Sequence, residues 1–119
     1  MNEIEYIVLA ENFGEFLGMA QECLERKDHK ASGVLASAVF EDTMRKIATK
    51  HDLGAYSGID KNINGLKSRG VMENLQAKQA RVWANVRNKA FHAEWDKYEL
   101  GDVKSMIEGV RGLIDKYLV

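Results

Sequence analysis

Proline does not occur once in these 119 residues. Proline ends helices more surely than any other residue, because it lacks the amide hydrogen and its ring collides with the preceding turn. A chain without it is free to run in long uninterrupted helices, and the apolar spacing says that it does. Leu9, Phe13, Phe16, Ala20 and Leu24 recur at three- and four-residue steps, the period of one helix face. The first helix is expected over about Asn2–Lys27, with Asp28 as its stop. Gly14 and Gly18 weaken it, at about 1 kcal/mol each against alanine if exposed, and would let another helix approach closely.

A second helix is expected from near Lys30 to near His51. Its first half, ASGVLASA, is rich in small residues that permit tight packing. On a helical wheel Val34, Ala38, Met44 and Ala48 surround Glu41. A carboxylate inside an apolar arc needs a partner, since an isolated buried charge is very costly. Arg45, one turn along, and Arg87 are the candidates. The segment Asp52–Asp60 holds two glycines and a serine and reads as a loop. Ile59–Ser68 fits a short helix closed by Gly70. A third long helix is expected over about Val71–Phe91, with Leu75, Val82, Val86 and Ala90 as its apolar stripe and Trp83 beside it. Ala93–Glu99 is a connector. The last helix, near Leu100–Leu118, has the cleanest pattern in Val103, Ile107, Val110, Ile114 and Tyr117. The expected fold is therefore all-α, a bundle of four to five helices with the long ones antiparallel, filling one domain over residues 1–119.

Charge sets the next limits. The net charge is −1, so any nucleic-acid contact must come from a local basic patch. Such a patch exists. Between Lys61 and His92 stand Lys61, Lys67, Arg69, Lys78, Arg81, Arg87 and Lys89 against Glu73 alone, whereas six glutamates dominate the stretch Asn2–Lys27. The plainer reading is that these cations only solvate an exposed face. Cys23 is the single cysteine, which rules out an internal disulfide or a cysteine-built zinc site and suits a reducing cytoplasmic setting. Neither a glycine-rich phosphate loop nor a ligand spacing such as HExxH occurs, so no cofactor or metal is expected. The acidic N-terminus does not read as a secretory leader, and no apolar run approaches the roughly 18 residues of a membrane span.

The segment that carries chemistry is WANVRNKAFH, Trp83–His92. Arg87 and His92 are five residues apart, roughly 140° around a continuous helix. They converge only if the helix ends before His92, or if two chains bring them together. Asn88 lies one turn before His92, and Lys78, Arg81, Asn85, Asn88 and His92 form a polar stripe. These residue types suit RNA cleavage. Histidine can take the 2′-OH proton at neutral pH, and a guanidinium can stabilise charge gathering on the phosphoryl oxygens. The leaving oxygen needs an acid, and a symmetric dimer would supply a second histidine.

RNKAFH resembles the R-x(4–6)-H motif of HEPN domains, with Asn88 as the polar residue after the arginine. ASGVLASAVFEDTMRKI is similar to their small-residue helix with an embedded acid, and GDVKSMIEGVRGLIDKYL to their closing helix, so the likeness spans roughly residues 20–119. The resemblance implies a homodimeric helical bundle with two facing motifs. It implies a metal-independent endoribonuclease, such as a toxin or defence-system RNase with an antitoxin or other regulatory partner. The site would comprise Arg87, His92 and Asn88, the last orienting His92 from one turn away, with Glu41 in support and Lys89, Arg81 and Lys78 along the RNA. The alternative within the same family is a non-catalytic module that binds RNA, a nucleotide or a protein partner. On the residues alone, Arg87 can serve simply as a structural partner of Glu41, and His92 as a helix-end residue interacting with the dipole. Trp83 and Phe91 read as core, Cys23 as a small buried hydrophobe, and His29 and His51 as helix-end residues. Trp95 is open between covering the site, stacking a base and packing in a dimer seam.

Overall fold

The computed structural model describes residues 3–54 and 56–119, with side chains from residue 14 onward. Five α-helices and one 3-10 turn account for it, and the described residues contain no strand. They are α1 (Glu3–Glu25), α2 (His29–Lys50), α3 (Ile59–Ser68), α4 (Asn74–Phe91) and α5 (Leu100–Tyr117), with the 3-10 turn at Trp95–Lys97. Leu9 and Phe13, assigned to the apolar face of α1, lie outside the described side chains.

The ends of the helices have local causes. Lys27 adopts a left-handed φ of 60° and turns the chain out of α1. Asp28 both closes the first helix, its amide donating to the Cys23 carbonyl at 2.9 Å, and opens the next. Its Oδ1 accepts the Ala31 amide at 3.1 Å, an N-cap that satisfies one of the orphan donors of α2. The fourth helix starts later than the apolar pattern suggests. The amides of Val71 and Met72 both donate to the Leu66 carbonyl, so these residues finish α3 instead of beginning α4. Gly70, at φ 72°, makes that closure possible. At the front of α5 the Glu99 amide donates to Asp102 Oδ2 at 2.9 Å.

The second helix is the hub, packed against each of the other four. Its small residues are what allow this: Ser32, Gly33, Ala36 and Ser37 are all buried. A Cβ at Gly33 would run into the Tyr98 ring, so glycine there is a requirement of packing. Tyr98 is fastened in that slot by its hydroxyl, which donates to the His29 carbonyl at 2.8 Å. Burial pushes its pKa up, with a smaller push from Asp28. Phe40, Met44 and Ile47 form the fully buried centre, and Trp83 meets Phe40 edge-on at 6.3 Å between centroids. Fully burying a side chain such as Phe40 contributes about 1.5–3 kcal/mol. The Trp83 ring in turn lies where a Cβ at Gly109 would be, and its Nε1 donates to Ser105 Oγ at 3.2 Å. Gly14 and Gly18, expected to admit a close neighbour, have no described atom within 4 Å of where a Cβ would stand; the closest approaches among the described residues are at Gly33 and Gly109.

Directions follow from paired contacts. The ion pair Glu41–Arg87 and the bond between His29 and the Trp95 carbonyl make α2 and α4 antiparallel. Tyr98 on His29 and Lys50 Nζ on the Tyr117 carbonyl make α5 parallel to α2, which corrects the expectation that all the long helices run antiparallel. All five apolar residues read in α5 are buried, joined by Met106 and Leu113. The stripe read on α4 needs correction. Val86 and Ala90 are buried, but Leu75 is 68% and Val82 59% exposed. The buried face runs instead through Ala77, Ala80, Trp83 and Ala84. Alanines let α4 sit close to α2, so the larger aliphatic residues fall on the outside. No described helix is long and apolar enough to cross a membrane.

Candidate functional site

Because the helices cross antiparallel, Glu41 on α2 lies against Arg87 on α4. Arg87 Nη2 donates to Glu41 Oε1 at 2.7 Å, and Arg45 Nη2 donates to the same oxygen at 2.9 Å. Both arginines offered by the sequence as partners are therefore used. The Glu41 side chain retains 14% exposure, Arg87 24% and Arg45 36%. Val34 and Ala38, expected to wall Glu41 in, are exposed; the carboxylate is covered by the arginines and the body of α4.

Arg87 is held on three sides. Its Nη1 donates to Asn88 Oδ1 at 2.7 Å, and its guanidinium carbon lies 4.8 Å from the centroid of the Phe91 ring. Its Nε is buried without a hydrogen-bond partner among the described residues. Phe91, expected in the core, is 41% exposed and serves as the platform under this guanidinium. On the other side of Glu41, the Arg45 guanidinium lies 4.9 Å from the centroid of the Tyr56 ring. Tyr56 is 86% exposed. A line of contacts thus runs Tyr56, Arg45, Glu41, Arg87, Phe91, with two cations sharing one anion. Phe91 is readable as the i+4 neighbour of Arg87. Tyr56 carries no such signal, since a loop returns it over Arg45.

The helix ends at Phe91, and His92 is its C-cap with φ −93° and ψ 12°, still near the helical path. Ala93, at φ 55°, then turns the chain away. His92 is exposed, and its imidazole makes no hydrogen bond to a described residue. Arg87 is turned toward Glu41 on α2, while His92 is exposed at the helix end. Within one chain the two diverge, as the five-residue spacing implies. Asn88 spends its side-chain oxygen on Arg87, and its carbonyl accepts the His92 amide at 3.1 Å. Two residues beyond, Glu94 adds an acid near His92. Its carboxyl is held below the usual carboxylate range chiefly by the hydrogen bond and charge of Lys97, with smaller pulls from His92 and Lys89.

Of the cations expected along RNA, Lys78 is exposed, Lys89 is half-buried, and Arg81 donates to Asn64 Oδ1 at 2.6 Å. Trp95 is half-buried against the core and meets Tyr98 edge-on. His29 Nε2 pairs with the Trp95 carbonyl at 2.9 Å, and His51 caps α2. Cys23 is buried. A hollow between α1 and α5, lined by Gly14, Leu17, Arg111, Ile114 and Asp115, shares no residue with this site.

No protein-family model, curated protein or solved structure matches the chain.

Proposed function

We propose that the chain is a HEPN-like, metal-independent endoribonuclease that acts as a homodimer. The observation that carries this is the terminus of α4, where an exposed histidine follows directly on a helix that anchors an arginine at three points. In the proposed reaction His92 removes the 2′-OH proton. The freed oxygen attacks the adjacent phosphorus, the bond to the 5′-oxygen breaks, and the partner subunit's His92 protonates that leaving oxygen. The products are a 2′,3′-cyclic phosphate and a free 5′-OH. Arg87 stabilises the negative charge on the phosphoryl oxygens. Asn88 positions Arg87, and Lys78, Arg81 and Lys89 steer the backbone. Since Arg87 and His92 diverge in one chain, convergence has to come from a second copy. Exposed Leu75 and Val82 on α4 offer apolar surface for that contact.

A second reading is favoured by the ion pair itself. An Arg87 committed to Glu41 and Asn88 is also what a non-catalytic RNA-binding HEPN module would contain. One experiment separates the two. Purified protein is incubated with mixed RNA, with and without EDTA, beside His92→Ala, and the new ends are mapped. Cyclic phosphate ends insensitive to EDTA and lost in His92→Ala are expected. A chain that dimerises, yet leaves every RNA intact, would replace the catalytic reading with the binding one.

A further inference from the structure

We infer that Tyr56, Arg45, Arg87 and Phe91 form a binding track for a single-stranded polynucleotide, blind to whether the sugar is ribose or deoxyribose. The inference rests on the RNA reading above and shares Arg87 with it, but Tyr56, Arg45 and Phe91 take no part in the cleavage chemistry.

Two guanidiniums converge on one oxygen of Glu41. The cluster therefore carries one positive charge more than it neutralises, and a phosphodiester is the anion that would balance it. Each guanidinium also lies on an aromatic ring, Arg45 on Tyr56 at 4.9 Å and Arg87 on Phe91 at 4.8 Å. A ring covered by a cation on one face keeps its other face for a second partner. Tyr56, at 86% exposure, and Phe91, at 41%, are both accessible to solvent. A nucleobase is the flat group that accompanies a phosphodiester, and aromatic platforms beside positive charge are how proteins hold single strands. The guanidinium against each ring favours one orientation, which reduces the ordering cost of stacking a base.

A duplex keeps its bases stacked on one another and presents none to these rings. Nothing in the track addresses the 2′-oxygen, because stacking and phosphate charge are common to RNA and DNA. Selection of RNA would then belong to the cleavage step and not to binding.

The test is fluorescence anisotropy in the His92→Ala background, which keeps RNA whole. Labelled oligouridylate, oligodeoxythymidylate and a duplex of about 12 nucleotides are compared, a length within known single-strand site sizes. Circular dichroism checks that each variant is folded. Single-stranded RNA and DNA should bind within about threefold of one another, and duplex about tenfold more weakly. Tyr56→Ala and Phe91→Ala should each weaken binding about tenfold, while Tyr56→Phe restores it. Arg45→Ala should flatten the slope of log affinity against log salt by about 0.7, the loss of one phosphate contact on a single strand. Wild-type affinity in Tyr56→Ala, equal binding of duplex, or no binding of any single strand overturns the track. The outcomes also separate it from the ribonuclease reading. Binding that obeys this pattern without any cleavage in the unsubstituted chain leaves the track standing and removes the enzyme. Cleavage whose KM ignores Tyr56→Ala and Arg45→Ala does the reverse.

Discussion

Glu41→Ala tests the best-defined polar contact in the molecule. Ion pairs between exposed side chains contribute roughly 0.2–1 kcal/mol. Stripping one partner from a fully buried pair costs about 3–5 kcal/mol, mostly because the remaining charge is stranded. Glu41 falls between these limits, with 14% of its side chain exposed against 24% for Arg87 and 36% for Arg45. Its removal leaves two guanidiniums facing one another, and the Arg87 Nε has no partner among the described residues to begin with. Water reaches both arginines and screens part of the loss, so a cost of about 2 kcal/mol is expected. For a domain of this size that lowers the melting midpoint by about 8 °C. Thermal unfolding followed by far-UV circular dichroism reads it directly. A cycle with Arg87→Ala should give a coupling of about 1 kcal/mol, because the residues touch. A Glu41→Ala midpoint within about 1 °C of wild type would refute the reasoning.

Gly109→Ala should destabilise by about 1–3 kcal/mol in urea titrations, because its methyl meets the Trp83 ring, whereas Gly112→Ala, with open space around it, should stabilise by up to about 1 kcal/mol. Equal effects at the two positions would contradict the packing described. Tyr98 holds its proton more tightly folded than unfolded, so its contribution is complete below the ordinary tyrosine value near 10 and is lost as pH rises above it. Urea midpoints measured at pH 9 and pH 11 should therefore fall more steeply for wild type than for Tyr98→Phe. His92→Ala should melt with the wild type, because its exposed ring bonds to no described residue, and a large drop in midpoint would show a structural role instead. Light scattering at tens of micromolar should find a dimer, and monomer alone at that concentration would mean association weaker than roughly 6 kcal/mol.

Helix existence was readable from spacing because each helix buries a periodic face, and α5 shows this most clearly, with all five of its assigned residues buried. Spacing failed on α4, where size was mistaken for burial. Leu75 and Val82 face outward while alanines face α2, since closeness between helices is decided by what is small. The start of α4 was also hidden, because the Leu66 carbonyl claims two amides that look helical in sequence. Glu41 was identifiable from its neighbours on the wheel, and so were its arginine partners. The aromatic floors beneath those arginines were not. Tyr56 reaches Arg45 only through the path of a loop, and no periodic rule describes such a path.

The central position of α2 has a consequence for how the chain is made. Synthesis proceeds from the N-terminus at about 5–20 residues per second. The α1–α2 hairpin therefore emerges well before α4, whose Trp83 meets Phe40, and α5, both of which pack on α2. Tyr98, which fills the slot at Gly33, and Tyr117, whose carbonyl receives Lys50, come near the end. A nascent chain lacking its last helix carries a ready-made hydrophobic face with nothing to close it. Until α5 emerges, a chaperone has the most surface to hold, and the docking of α5 on α2 is the event that ends that need.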